Sequence, residues 1–265
     1  MSSYRTAEDS ARSGNPIELF RFTSSNFTKY YTSASYDVEH DGNYIAIPIM
    51  RNEVEQTNDI SRSDIRITIG VDTELSHIYM TDPPDGITTV TIFRGHVGLG
   101  EYITMWKGRV VSVTYSAEEA TINCESIFTS LKRYGLLAKF QYLCRHALYG
   151  SGCGIGEGSF TIGATVTSIN GVELTLGGIS SSNYLLGGIL HVGGSMRQIL
   201  GHSGNVISIN RVVASLEVND AVTVSLGCNH TVEHCKGIFN NLVNYGGFPY
   251  IPTTNPFAEL GNRLA

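Results

Sequence analysis

Four cysteines in the C-terminal half of the chain are the residues whose type and spacing suggest chemistry. Eight residues separate Cys144 from Cys153, and six separate Cys228 from Cys235. A region that reads as β-structure lies between the two pairs, so its fold could bring both pairs to one place. Thiolates bind zinc and iron–sulfur clusters. The four cysteines therefore form a candidate metal site, with four buried core residues as the simpler interpretation.

The spacing within each pair helps to choose between metals. Structural zinc sites usually have about two to four residues between paired ligands, and spacers of eight and six residues do not follow that habit. Four thiolates with longer spacers suit a larger object such as a 4Fe-4S cluster. Zinc (Zn) remains the alternative. The spacing also differs from the bacterial ferredoxin pattern, which disfavours a free-standing electron carrier.

Residues near the cysteines favour a compact site. Thr231 is a predicted N-cap for a terminal helix, which would place Cys235 near the helix N-terminus, where the dipole favours a thiolate. The apolar stripe of this helix would be Cys235, Ile238, Phe239 and Leu242. The helix would end at Gly246-Gly247. The glycines that would let the backbone turn around the site are Gly150, Gly152, Gly154 and Gly227.

Histidines allow other interpretations. Cys144 with His191 or His202 would suit the nucleophile and base of a cysteine peptidase, although neither histidine lies in a strong strand pattern. A receptor-binding adhesin, also rich in β-structure, is a further alternative. Three histidines near the cysteines are either hydrogen-bond donors to cluster sulfurs or polar surface residues: His146, His230 and His234. The fifth cysteine, Cys124, ends a predicted strand and is predicted to be a core residue.

Short strands must position these side chains. From about residue 17 to residue 125, apolar and polar residues alternate in several segments, and Asp41-Gly42 predicts a hairpin with a type I′ turn. Residues 126–148 have helical or turn-rich spacing. A second β-region runs from about residue 160 to residue 226, and Asn170-Gly171 is predicted to turn its first hairpin. Short strands and frequent turns predict small barrels or sandwiches.

Composition excludes some classes of function. The chain has 265 residues and a net charge of −6, without a dense cluster of Lys and Arg, so direct nucleic acid binding is not expected. No signal peptide is expected, and the most apolar window, residues 184–192, is too short for a membrane span. In a cytoplasm the cysteines would stay reduced. The charged fraction is 16%, below the roughly 25% of ordinary domains, which favours a surface covered by partners.

Several segments resemble known phage proteins. Ile17-Glu-Leu-Phe-Arg-Phe and Ile65-Arg-Ile-Thr-Ile resemble the opening of tail-hub proteins of long-tailed phages and gene transfer agents. The more specific segments are Cys144-Arg-His-Ala-Leu-Tyr-Gly-Ser-Gly-Cys-Gly, Gly227-Cys-Asn-His-Thr-Val-Glu-His-Cys, Phe239-Asn-Asn and Asn244-Tyr-Gly-Gly-Phe-Pro. They resemble a phage-encoded family related to the minor tail protein L of lambda-like phages. The resemblance covers most of the chain and is strongest over residues 126–252.

The resemblance implies a mainly β fold with two small β-barrel hub-type domains and a short helical, cysteine-rich metal-binding segment. The expected boundaries are 1–125 for the first barrel, 126–157 for the first cysteine pair, 158–226 for the second barrel and 227–265 for the second cysteine pair. Relatives are associated with an iron–sulfur cluster bound by cysteines, and the ligand set carried over to this chain is Cys144, Cys153, Cys228 and Cys235.

The resemblance also implies a role and partners. The expected role is that of a non-enzymatic tail-tip hub in the virion, assembled in the host cytoplasm. The expected assembly is a homotrimer, which would join a sixfold tail tube to a threefold tip through a pseudo-sixfold ring. The expected neighbours are the distal tail protein ring and the central tail fibre or hub protein, with the tail tube and the tape measure protein as further candidates.

Overall fold

The computed structural model describes residues 3–10, 12, 14–54, 63–132, 135 and 137–252. The chain divides into two compact units, Met1–Tyr134 and Gly135–Ala265, and each is described by itself. Most regular structure is strand, which confirms the mainly β prediction. The finer four-part division stays a prediction, and residues 253–265 of its last part lie outside the described residues.

Unit 1 is built on antiparallel strands with two short helices, α1 (Ser3–Glu8) and α2 (Glu74–Thr81). Its strands are β1 (Pro16–Thr23), β2 (Thr28–Thr32), β3 (Val38–Glu39), β4 (Asn43–Ala46), β5 (Ile49–Arg51), β6 (Ile65–Gly70), β7 (Thr89–His96), β8 (Tyr102–Tyr115) and β9 (Glu119–Ser126). They form one nine-stranded sheet in the order β3-β4-β2-β1-β7-β8-β9-β6-β5. The β2–β4 pair is parallel.

Alternation places the core of unit 1. Ile65, Ile67 and Ile69 of β6 are all buried, with more exposed residues between them, as a half-buried strand requires. They pack in a cluster with Phe20, Trp106 and other buried residues. The indole N–H of Trp106 donates to the backbone oxygen of Ser63 at 2.9 Å, so its polar atom is satisfied inside the core.

The prediction of a closed barrel in unit 1 is wrong for the described residues. Their strands form an open sheet whose edges are β3 and β5. Alternation determines which face of a strand is buried, whereas closure depends on strand tilt and on the shear between strands, which alternation does not encode. The Asp41-Gly42 hairpin is present, but residues 40–42 form a three-residue connection, and Gly42 lacks the positive φ of a type I′ turn.

The segment after β9 is turn-rich. Ile127–Lys132 forms a 3₁₀-helix, and the described residues of 133–150 contain bends and turns without an α-helix. Of the two predicted possibilities for residues 126–148, helical or turn-rich spacing, the structure has the second. Apolar side chains here are exposed: Leu137 is 70% exposed and Phe140 is 78% exposed.

Unit 2 contains a closed barrel, as the resemblance to tail-hub proteins implied. Its strands are β10 (Thr161–Asn170), β11 (Glu173–Gly177), β12 (Ile189–Val192), β13 (Ser195–Ser203), β14 (Val206–Ile209) and β15 (Ala221–Ser225). They close in the order β10-β11-β14-β13-β12-β15. The predicted hairpin joins β10 to β11, where Asn170 pairs with Glu173. Gly171 therefore occupies the first loop position, with φ of 61°, as in a type II′ turn.

The terminal helix is shorter than predicted. Helix α3 spans Val232–Gly237, and a separate 3₁₀ turn spans Leu242–Asn244. The predicted cap is confirmed, because the Thr231 hydroxyl accepts the backbone N–H of His234 at 3.2 Å. Asn240 interrupts the predicted stripe with a left-handed φ of 47°, which asparagine tolerates better than most residues. No helix in the described ranges is long and apolar enough to cross a bilayer.

Candidate metal centre

The four predicted ligands lie around one small cavity of unit 2. Cys144, Cys153, Cys228 and Cys235 all line it, and its volume is about 20 Å³. We call this space the cysteine cavity, and we call residues 137–157 and 227–252 the first and second cysteine segments. Each segment contributes one pair of thiols. The structure therefore brings together side chains that are up to 91 positions apart in the sequence.

The closed barrel explains why the two pairs meet. Its first and last strands are neighbours, and Thr161 of β10 pairs with Ser225 of β15. The pairing continues outward, because the backbone N–H of Leu226 donates to the oxygen of Phe160 at 2.9 Å. The chain thus enters and leaves the barrel side by side. Cys153 precedes the entry and Cys228 follows the exit by only a few residues.

Backbone hydrogen bonds hold the segments together at the cavity. The N–H of Cys144 donates to the backbone oxygen of His230 at 2.9 Å. Gly227 sits against another loop, because its N–H donates to the oxygen of Tyr184 at 2.7 Å. A Cβ at Gly227 would lie 1.9 Å from the Leu186 oxygen, so only glycine fits. Gly227 was predicted to let the backbone turn around the site; its observed role is instead a close backbone approach, which places Cys228 beside the barrel.

Three sulfurs accept hydrogen bonds. The backbone N–H of His230 donates to Cys228 Sγ at 3.3 Å, and that of Gly246 donates to Cys144 Sγ at 3.3 Å. The Asn241 side-chain amide donates to Cys153 Sγ at 3.8 Å. N–H groups directed at sulfur stabilise a thiolate, which is the form that binds metals.

Burial nevertheless raises the pKa of two thiols. At Cys235 burial is the larger cause, followed by the negative charges of Cys228, Cys144 and Cys153. At Cys228 burial also raises the pKa, and the His230 N–H opposes it. The dipole of α3, which is expected to favour a thiolate at Cys235, acts against the rise in pKa there. Thiolates that repel one another in a partly buried space are stabilised by a bound cation.

Apolar side chains form part of the lining of the cysteine cavity. Leu148, Ile155 and Phe239 line it, and Phe239 is buried as predicted. The Phe239 ring packs edge-on against Phe160, with ring centres 5.0 Å apart. Ile238, its neighbour in the predicted apolar stripe, is 37% exposed. A partly apolar shell of this kind limits the access of water to a metal centre.

The three predicted histidines occupy different positions. His146 and His230 line the cysteine cavity. The His146 ring lies between two glycines, because a Cβ at Gly152 or at Gly246 would come within 2.4 Å of it. His234 contacts the Gly227 oxygen through Nε2 at 3.1 Å. Only the His230 backbone, rather than any of the three rings, has a hydrogen bond to a sulfur among those described.

The histidines of the peptidase interpretation lie elsewhere. His191 Nε2 contacts a carboxylate oxygen of Glu157 at 2.6 Å, and His202 Nε2 contacts the Gly204 oxygen at 2.9 Å. Neither lines the cysteine cavity with Cys144. Within the described part of the chain, the geometry therefore does not assemble the nucleophile–base pair that the peptidase interpretation requires.

Cys124 belongs to the core of unit 1, as predicted. It lies on β9 opposite Ile65 and is 3% exposed. Burial raises the pKa of its thiol to about 12. A thiol so hard to ionise is a poor metal ligand, and it lies in a different unit from the cysteine cavity.

The residue types that line the cavity suit a thiolate-bound centre, but its present dimensions do not. Its lining contains four cysteines and no carboxylate. Among the described side chains, however, no three Cys, His, Asp or Glu are arranged to hold a single metal ion. The sulfurs thus surround a shared space, but they do not all lie at the roughly 2.3 Å from one common point that a zinc ion needs. The space itself holds about one water molecule, so a cluster would require the surrounding loops to part.

Sequence reasoning missed several residues of this region. Asn241 and the Gly246 N–H contact sulfurs, and both lie in the segments Phe239-Asn-Asn and Asn244-Tyr-Gly-Gly-Phe-Pro that carry the phage resemblance. Glu157 also accepts a hydrogen bond from the buried Ser225 hydroxyl. Burial raises the pKa of the Glu157 carboxyl, but hydrogen bonds from Ser225 and His191 outweigh it, so the net pKa is lowered.

Three comparisons relate the chain to other proteins. The family model described as phage conserved hypothetical protein BR0599 matches residues 187–255, which include Cys228 and Cys235. An uncharacterized protein of Xylella fastidiosa (strain 9a5c) is 25% identical over 174 residues, 59% of this chain and 36% of that protein. The chain therefore spans about a third of that relative's length.

A solved structure shares the fold. A chain from the virion of a native gene transfer agent particle superposes with a TM-score of 0.82 at 16% identity, covering 97% of this chain and 96% of that chain. The predicted resemblance to phage and gene-transfer-agent proteins is thus confirmed by a phage family model on the C-terminal part and by a shared fold over nearly the whole chain.

Proposed function

We propose that this protein is a structural, non-enzymatic subunit of the tail tip of a phage-like particle. The observation that carries the proposal is the fold match to a virion chain along nearly the full length of both proteins. The phage family model on residues 187–255 supports the same origin. In this role the protein is located in the virion, and its task is to bind neighbouring subunits.

The surface of the chain suits an assembled protein. Several large apolar side chains are exposed, including Val243 at 97% and Tyr250 at 96%. Leu137 and Phe140 of the first cysteine segment are also mostly exposed. These side chains are exposed to solvent in an isolated chain, and clusters of exposed apolar side chains mark interaction sites. The low charged fraction of 16% agrees with this.

The proposed assembly is a homotrimeric hub between the distal tail ring and the central fibre. Three copies supply three nine-stranded sheets and three closed barrels, so six β-domains can form a ring that adapts sixfold to threefold symmetry. Light scattering of the purified chain and electron microscopy test this proposal. Threefold rings, and antibody labelling at the tail tip of particles, are expected. Labelling along the whole tail or on the head would contradict the tail-tip role.

We propose further that the cysteine cavity binds a 4Fe-4S cluster, with zinc as the alternative. Cys144, Cys153, Cys228 and Cys235 would be the ligands, and the bound group would supply four metal–thiolate bonds that link the two cysteine segments. The first cysteine segment contains no buried residue, so it can move apart from the cavity without disrupting an apolar core. Metal binding then contributes directly to the folding of these segments.

Metal analysis of protein purified without oxygen tests the centre. About four irons and four sulfides per chain, with brown colour that dithionite bleaches, are expected. Single Cys→Ala variants at the four positions should lose the metal, whereas the matched control Cys124→Ala should keep it. One zinc per chain would establish the alternative, and a metal-free wild type after reconstitution would reject both. Release of peptidoglycan fragments abolished by Cys144→Ala would overturn the non-enzymatic role.

A further inference from the structure

We infer that Asn241 is a positioning residue that couples the two cysteine pairs and adjusts the electrostatics of the proposed metal centre. This inference rests on the proposed metal centre but goes beyond it, because Asn241 is not a metal ligand. Asn241 lines the cysteine cavity, between the end of α3 and the 3₁₀ turn Leu242–Asn244.

One residue contacts a cysteine of each pair. The Asn241 side-chain amide donates to the backbone oxygen of Cys153 at 2.6 Å and to its Sγ at 3.8 Å. The Asn241 N–H donates to the Cys235 backbone oxygen at 3.2 Å. In the metal-free chain the Asn241 backbone oxygen also accepts the Cys235 S–H at 3.4 Å, a bond that a metal-bound thiolate would lose. Asn241 therefore forms a bridge of hydrogen bonds from Cys153 to Cys235.

The amide is held in place from its other side. Its oxygen accepts the side-chain N–H of Asn244 at 2.8 Å, which directs the nitrogen toward Cys153. The left-handed φ of 47° at Asn240 turns the chain just before it. Asparagine has both a donor and an acceptor at the required distance. Aspartate has the same shape without the donor, and leucine has neither group.

The chemistry of the contact predicts its effect. An N–H directed at a ligand sulfur stabilises negative charge there. Hydrogen bonds to sulfur are among the factors that set the reduction potential of an iron–sulfur centre, and a lost N–H favours the more oxidised, less negative state. Partners that orient metal ligands typically change metal affinity by about 10- to 100-fold when mutated.

The test uses the full-length chain with Asn241→Asp and Asn241→Leu. Metal release to a chelator should be about 10- to 100-fold faster in both variants, and the reduction potential of an iron–sulfur centre should fall. The matched control is Asn123→Asp, which removes an amide donor to the Ser112 hydroxyl in unit 1. It should change neither quantity. Unchanged release and potential in the Asn241 variants would overturn the inference.

A second measurement does not need metal. In metal-free protein, a short bifunctional thiol reagent should link Cys153 to a cysteine of the second pair, and Asn241→Leu should lower the yield of this cross-link severalfold. If the wild type binds no metal but the cross-link depends on Asn241, the proposed centre fails while the positioning role stands. Equal yields in wild type and variant would end the positioning role.

Discussion

The barrel of unit 2 and the cysteine segments beside it are fixed in different ways. The barrel has a core of fourteen buried apolar residues. Burying one large apolar side chain stabilises a fold by about 1.5–3 kcal/mol. The first cysteine segment has no buried residue at all, and the second has only four: Gly227, Cys235, Phe239 and Gly246. Apolar burial can hold the barrel, whereas the segments depend on hydrogen bonds and, in our proposal, on metal–thiolate bonds.

The largest expected effect comes from removing one ligand. Cys228→Ser should abolish metal binding and cost several kcal/mol in the cysteine segments, since structural zinc contributes about 10–16 kcal/mol in small peptides. Hydrogen exchange should become fast in residues 137–157 and 227–252 and stay slow in β10–β15. Cys124→Ala serves as the control with intact metal. If metal-free Cys228→Ser showed the same hydrogen exchange as wild type, the cysteine segments would be stable without metal.

The next largest effect concerns the barrel core. Ile207 of β14 is fully buried, so Ile207→Ala should lower the free energy of unfolding by about 2–5 kcal/mol. Urea unfolding followed by circular dichroism measures the loss. The metal content of the folded variant should equal that of wild type, because Ile207 does not line the cysteine cavity. Loss of metal from folded Ile207→Ala would mean that the two regions are not independent.

A smaller effect distinguishes Cys124 from the four cavity thiols. Its folded pKa of about 12 lies above the roughly 8.5 of an unfolded thiol. Between these two pH values the folded state therefore retains the proton that the unfolded chain loses. The contribution of this thiol to the free energy of unfolding is fully present below about pH 8.5 and is lost as the pH rises toward 12. The loss at pH 10 should be about 2 kcal/mol relative to pH 7. Cys124→Ala should remove this part of the alkaline loss, and an unchanged pH profile would contradict it.

The smallest expected effect is at the cap of α3. Thr231→Ala removes the hydroxyl that accepts the His234 N–H and should cost about 1 kcal/mol. Thr231→Ser, which keeps the hydroxyl, is the matched control. Faster metal release from the alanine variant alone would show that the cap also supports the second cysteine segment. Equal stability of both variants would mean that the cap contributes nothing measurable.

Local sequence signals predicted local structure well. Alternation predicted β6, Asn170-Gly171 predicted the β10–β11 hairpin, and Thr231 predicted the start of α3, because each depends on neighbouring residues. The open sheet of unit 1 was not predicted, since closure depends on contacts that are distant in the sequence. The end of α3 was missed because Asn240 adopts a left-handed conformation that many asparagines do not adopt.

The candidate site was predicted only in part. The four cysteines were identified by their type, and their convergence followed from two pairs flanking one β-region. The pairing of β10 with β15 that brings them together could not be seen in the spacing. Asn241 was missed because nothing about an isolated asparagine reveals its hydrogen-bond partners. His191 also has a carboxylate partner, Glu157, that lies 34 positions away.

The pairing of Thr161 with Ser225 also implies an order of events in folding. Before the barrel closes, 74 residues separate Cys153 from Cys228, and bringing such distant thiols together costs chain entropy. After closure the same thiols are neighbours. If the proposed metal centre exists, a newly made chain should finish its barrel first and bind metal last, and cells short of metal should accumulate molecules with complete barrels and unlinked cysteine segments.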